Sequence, residues 1–107
     1  MLSRAHRIAD GDHLRQVSRR GARGVSEYFV AARVATEDQA PGRFGFVVSK
    51  QVGGAVVRNR VKRRFREMAQ AEIARGFAGE DVVVRALPAA SRASYDDLLR
   101  AWRRVFS

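Results

Sequence analysis

The residues whose types and spacing could do chemistry lie in one acid-free stretch. From Lys50 to Arg66 there are seven bases (Lys50, Arg58, Arg60, Lys62, Arg63, Arg64 and Arg66) and no Asp or Glu. With Val57 as origin and about 100° of turn per residue, Val57, Val61, Phe65 and Met68 fall within about 80° of one another as an apolar seam. Asn59, Lys62, Arg63 and Arg66 fall opposite, Arg58 flanks them on one side, and Arg60 and Arg64 on the other. Like charges at i, i+4, such as Arg58, Lys62 and Arg66, repel by a few tenths of a kcal/mol per pair in an isolated helix. A solvated helix normally relieves this with interspersed acids. A phosphate backbone relieves it by neutralising each cation and releasing counterions. The segment therefore predicts a helix anchored by a narrow seam and presenting a polyanion-binding face. Asn59, the neutral polar residue within that face, can bond a base edge, a sugar or a metal-bound water. Gly53-Gly54 precedes the helix, and its free first-turn amides suit one more phosphate.

The elements that must position this face follow from pattern. Arg7–Arg20 reads as a first helix, capped by Asp10 or Asp12, with Leu14 and Val17 apolar at i, i+3 and Gly21 as its stop. Residues 27–36 (EYFVAARVAT) and 43–50 (RFGFVVSK) read as strands, the second with Phe44, Phe46 and Val48 on one face. A turn at 37–42 predicts that they pair as an antiparallel hairpin. Ala55–Arg75 is the basic helix, and Asp81–Leu87 is a third, buried strand ended by Pro88. Ser94 opens a last helix whose Tyr95, Leu98, Leu99, Trp102, Val105 and Phe106 share one stripe, which makes Trp102 a core residue. The predicted order is α-β-β-α-β-α, a single-domain α+β sandwich over residues 1–107, with 1–6 flexible.

Composition excludes other classes. At 107 residues there is room for one core, and 46% hydrophobic residues suffice to build it. The net charge of +10 points to a polyanion. Nineteen of the 21 bases are Arg, which suits phosphate forks and base stacking, although a GC-rich genome biases codons the same way. The absence of cysteine excludes disulfides, thiolate metal sites and a Cys nucleophile, and suits a reducing compartment. Nothing approaches a membrane span of roughly 18 apolar residues or a signal-peptide core, and the apolar seam is too narrow for a membrane-surface helix. A protein-only nuclease needs converging carboxylates and His. The one local cluster, Asp10-Gly11-Asp12-His13, sits at a helix start, where Asp is a cap; no metal site is predicted. Gly21-Ala22-Arg23-Gly24 fits the GXXG loop of a KH module, but that loop joins two helices and a strand follows here. A generic ribosome-associated binder is the remaining alternative.

The segment SKQVGGAVVRNRVKRRFRE (Ser49–Glu67) resembles the signature of the protein subunit of bacterial ribonuclease P, the ribonucleoprotein that removes the 5′ leader from precursor tRNA. The match to S-K-K-x-G-n-A-V-x-R-N-R-x-K-R-x-x-R falls at Ser49, Lys50, Gly53, Ala55, Val56, Arg58, Asn59, Arg60, Lys62, Arg63 and Arg66. The Arg7-Ile8 start, the helix ending at Gly21, the FVA and DVVV strands and the P-A-A-S-x-x-S-Y-x-x-L run (Pro88–Leu98) follow in the family's order. The resemblance implies an α/β sandwich like domain 2 of ribosomal protein S5, with a left-handed βαβ crossover around the signature helix, a hand the general rule disfavours. It implies that the catalytic RNA subunit, with Mg²⁺ bound mainly by that RNA, performs cleavage in the cytoplasm, one protein serving each RNA. Ser49, Lys50, Arg58, Asn59, Arg60, Lys62, Arg63 and Arg66 then contact RNA, with Lys62 and Arg66 toward the leader. The leader is expected in a cleft between the first helix and the sheet. Here the sequence departs from the family: Leu14, Ser18 and Ala32 stand where aromatics are common, with Tyr28 and Val30 expected on the face of Ala32 by period two. Gln51 and Gly54 replace the usual Lys and Asn. Stacking is worth about 1–3 kcal/mol per base, so the substitutions bear directly on how a leader is held.

Overall fold

The computed structural model describes residues 2–106. Helix α1 spans Gly11–Arg20 and strands β1, β2 and β3 span Ala22–Val25, Phe29–Ala35 and Arg43–Val47. Helix α2 spans Ala55–Ala74, strand β4 Glu80–Ala86 and helix α3 Tyr95–Phe106, with short 3-10 turns at Arg4–His6 and Pro88–Arg92. The mixed α+β class and the single sheet agree with the sequence expectation, although the sheet has four strands rather than three, and both long helices fall where the periodicity placed them.

Strand pairing corrects that expectation. The sheet order is β1-β2-β4-β3, so β2 and β3 are not a hairpin. Strand β4 lies between them, antiparallel to β2 and parallel to β3. The reason is burial: Val82, Val83 and Val84 need cover on both faces, which a central strand receives. The hairpin is instead β1–β2, with Val25 opposite Val30. Strand β1 adds an element to the predicted order. Its sequence Ala22-Arg23-Gly24-Val25 shows no apolar alternation because it is an exposed edge, and it occupies the Gly21–Gly24 segment considered as a GXXG loop.

Side-chain alternation divides the sheet into two faces. Phe29, Ala31, Phe44, Val82 and Val84 point to one side, where Val61, Phe65, Met68, Leu98 and Trp102 of α2 and α3 complete the main core. Trp102 is 1% exposed and its ring lies 4.4 Å from that of Phe106. Its indole N–H donates to Glu72 at 3.1 Å, tying α3 to α2. The opposite face carries a small second cluster of Ile8, Val17, Ala32 and Val83 beneath α1. Helix α1 begins at Gly11 rather than Arg7. Asp10 caps it by accepting from the Asp12 amide, while Ile8 is held in extended chain by its N–H bond to Phe44. In the segment 2–6, Leu2 is buried in the main core and His6 Nδ1 lies 2.8 Å from the Gly42 carbonyl, while Ser3, Arg4 and Ala5 are exposed.

Candidate nucleic-acid interface

Helix α2 is seated by Val61, Phe65 and Met68, all buried, with Val57 half-buried at its start. Its opposite side presents Asn59, Arg63 and Arg66 exposed and Lys62 and Arg58 half-exposed. Asn59, Arg63, Arg66 and Glu67 line a depression of about 380 Å³. Ser49 and Lys50 are exposed in the turn that leads from β3 toward the helix, and Val56, 81% exposed, adds an apolar contact at the helix start. Gly54 caps the helix without a side-chain bond, so the first-turn amides stay open.

These bases differ from the five arginines of the chain that hold a carboxylate, and among the unpaired bases they are the ones gathered along α2 and the turn before it. Arg15, Arg33, Arg43, Arg75 and Arg100 each hold a carboxylate. Among the described residues, Lys50, Arg58, Lys62, Arg63 and Arg66 have no acid within salt-bridge distance. Five cations on one surface therefore lack internal neutralisation, an arrangement that an external polyanion relieves. The flank on the Arg60 side is different. Arg60 donates to the Ser91 carbonyl and Arg64 to the Ala93 carbonyl, each at 3.0 Å. These two arginines fasten the 3-10 turn at Pro88–Arg92 to α2. The Nε atoms of Arg58 and Arg60 are buried without a hydrogen-bond partner.

A second feature lies on the other face. Strand registers place Val25, Val30, Arg85 and Val47 in one row and Arg23, Ala32, Val83 and Gly45 in the next. A ten-residue helix is about 15 Å long, and α1 covers only part of this surface. The uncovered part is a cleft of about 460 Å³ lined by Leu14, Arg15, Ser18, Arg19, Arg23, Val30, Ala32, Val47, Val83 and Arg85. Its floor is apolar and its rim is arginine. Arg23 donates to the Ser18 carbonyl at 3.1 Å and Arg15 pairs with Asp12. Arg19 and Arg85 have no hydrogen-bond or acidic partner among the described residues.

Of the residues expected in a leader cleft, Leu14, Ser18, Val30 and Ala32 come together. Tyr28 does not. The strand begins at Phe29, after a turn in which Ser26 Oγ accepts from the Tyr28 and Phe29 amides. Period two does not extend back to Tyr28, which packs against the main core and lines a pocket with Asp97, Arg100 and Arg104 of α3. Burial and the Glu27 carboxylate raise its phenol above the ordinary value. Lys62 and Arg66 do not line the cleft either, because α2 packs on the opposite face of the sheet. Sequence reasoning missed Arg15, Arg19, Arg23 and Arg85. Arg85 carried a signal, being the one charge inside the VVVRAL run, at i+2 from Val83.

Asp10, Asp12 and His13 do not form a cluster. Asp10 caps α1, Asp12 pairs with Arg15, and His13 Nε2 lies 2.7 Å from Asp81. Among the described residues, no three His, Asp or Glu side chains converge as metal ligands, and no helix is long and apolar enough to cross a membrane.

Comparison with known proteins identifies the family. The family model described as Ribonuclease P matches residues 2–107. The chain is 46% identical over 103 residues to the ribonuclease P protein component of Kocuria rhizophila, covering 96% of this chain and 90% of that one. It is 44% identical over 106 residues to the component of a Nocardioides species, covering 97% and 91%. The RNase P protein of Staphylococcus aureus, solved at 2.0 Å, superposes with a TM-score of 0.86 at 24% identity over 96% of this chain and 94% of that one, a likeness of fold. With its basic helix, its sheet and nearly its whole length matched, the chain belongs to the ribonuclease P protein family.

Proposed function

We propose that this protein is the subunit that docks on the catalytic RNA of ribonuclease P through α2 and holds the 5′ leader of precursor tRNA in the α1 cleft. Membership of the family makes it a ribonuclease P subunit. The observation that carries the docking surface is the set of five unneutralised cations, Lys50, Arg58, Lys62, Arg63 and Arg66, beside exposed Asn59 and Ser49. Arg60 supports this face from its flank.

In this reading the protein supplies charge neutralisation and positioning. Among the described residues no three His, Asp or Glu side chains converge as metal ligands, and the hydrolytic step and its Mg²⁺ are assigned to the RNA, with one protein per RNA, in the cytoplasm. The cleft suits a single strand. Its apolar floor suits bases, and the Arg19 and Arg85 guanidinium groups can donate to phosphates or stack on base faces. Lys62 and Arg66, on the other face of the sheet, are assigned to RNA docking rather than to the cleft.

The test is binding of the protein to a bacterial ribonuclease P RNA across a salt series. Neutralising about five phosphates gives a log–log slope of roughly −3 to −5, and Arg63→Ala should reduce it by about one. A flat salt dependence contradicts the assignment of α2.

A further inference from the structure

Helix α1 rests on the sheet through a small apolar contact: Val17 is its one buried side chain, in a cluster with Ile8, Ala32 and Val83 against which half-buried Leu14 also packs. Beside that cluster lies a polar junction that neither the docking surface nor the cleft uses. Asp81, at the start of β4, is 4% exposed. Arg43 holds it with two parallel bonds, Nε to Oδ1 and Nη2 to Oδ2, both 2.9 Å. The third partner is His13, whose Nε2 lies 2.7 Å from Oδ2. A carboxylate only accepts, so the imidazole donates through Nε2. Arg43 and Asp81 face each other across the parallel β3–β4 ladder and are set by the sheet. His13 comes from α1, so this bond alone in the junction crosses from the sheet to the helix.

Its position matters for the cleft. Asp81, Val83 and Arg85 lie on one face of β4 at i, i+2 and i+4. His13 meets the first, the small cluster covers the second, and the third lines the cleft. Leu14, adjacent to His13, and Ser18 form the helical wall of that cleft. Leu14 lies over Gly45, where a Cβ would come within 2.2 Å of its Cδ2, so the wall is seated directly on backbone.

We propose that His13 is a positioning residue: its bond to the Arg43-fixed Asp81 carboxylate sets the seat of α1 on the sheet and so the width of the cleft. The proposal rests on the reading of the cleft as the leader site. Without the bond, Asp81 keeps Arg43, while α1 keeps its small cluster, the seat of Leu14 over Gly45, the Arg23 bond to the Ser18 carbonyl and the close approach of Gly21 to the Ala32–Arg33 backbone.

The test uses holoenzyme reconstituted from the full chain and a ribonuclease P RNA, with precursor tRNAs carrying a one-nucleotide or a long leader. The readout is the ratio of the two affinities. His13→Ala should reduce that ratio about ten-fold, the size expected for loss of a hydrogen bond to a charged group. His13→Gln, whose amide N–H can reach Asp81, should restore most of it, and both variants should bind the RNA as the parent does. Equal loss on both substrates, an unchanged ratio, failure of His13→Gln to rescue, or global unfolding of His13→Ala each overturns the proposal. Helix placement is read independently. The chain has no cysteine, so spin labels at Gln16→Cys and Asp38→Cys report the seat of α1, and His13→Ala should broaden their distance distribution. A single unchanged distance overturns the proposal. A parent ratio of one together with that broadening instead overturns the leader reading of the cleft and leaves the helix seat in place.

Discussion

Arg60 donates from Nη2 to the carbonyl of Ser91 at 3.0 Å, so a signature arginine of the basic helix also fastens the protein to itself. Arg64 repeats the contact on Ala93 one turn later. The basic helix thus has two sides with different duties. One ties down the turn that leads into α3, and the other faces outward with cations that no acid pairs.

Substitution separates the two. Arg60→Ala should cost roughly 1–2 kcal/mol of stability in denaturant unfolding, through loss of a charge-assisted bond. Arg63→Ala, exposed and unpaired, should leave stability within about 0.5 kcal/mol and weaken RNA binding. Equal destabilisation by both would make the outward face structural.

The cleft gives a second contrast. Arg19→Ala and Arg85→Ala should each weaken binding of precursor tRNA with a long leader by roughly three- to ten-fold, the range of one phosphate or stacking contact. A precursor with a one-nucleotide leader should be affected little. Competition binding to the holoenzyme measures both, and equal losses would remove the arginines from leader contact.

How far the sequence reached depends on the range of the signal. Helices α2 and α3 were legible because their apolar stripes repeat locally, and the cap at Asp10 and stop at Gly21 bounded α1. Pairing of β2 with β4 was hidden, because neighbours on a sheet are chosen by burial of residues some fifty apart, such as Ala31 and Val84. An arginine-containing edge strand such as β1 has no apolar face to announce it. The outward face of α2 was readable from charge alone. Half of the cleft was not, since Arg23 and Arg85 reach it from two strands whose order was unknown.

Close packing of the cleft wall predicts a stability effect. Gly45→Ala places a methyl 2.2 Å from Leu14 Cδ2, so Leu14 must shift. The expected cost is about 1–3 kcal/mol, with a reshaped cleft. Thermal unfolding checks the first and leader-dependent binding the second. No change in either would show that Leu14 swings freely.

Helix α3 predicts a pH dependence. The Ser94 amide donates to Asp97 Oδ2 at 3.3 Å, while Ser94 Oγ accepts from the Asp97 amide at 3.1 Å. The Ser94 bonds, led by that of its amide, hold the Asp97 carboxyl below its ordinary value of 3.8, with Arg100 adding to the effect. A carboxyl lowered by folding contributes stability that is full above the unfolded value and lost as pH falls through the folded one. Melts in buffers from pH 6 down through the acid limb should show parent stability falling more than that of Asp97→Asn. Parallel curves would mean that the cap contributes nothing.

The central claim is that this chain positions RNA and does not itself cut it. The direct measurement is cleavage of a precursor tRNA at low Mg²⁺ by the protein alone, by a bacterial ribonuclease P RNA alone, and by the two together. The expected result is no cleavage by the protein, slow cleavage by the RNA, and fast release of the 5′ leader by the pair. Cleavage by RNA-free protein, or a pair no faster than the RNA alone, would contradict it.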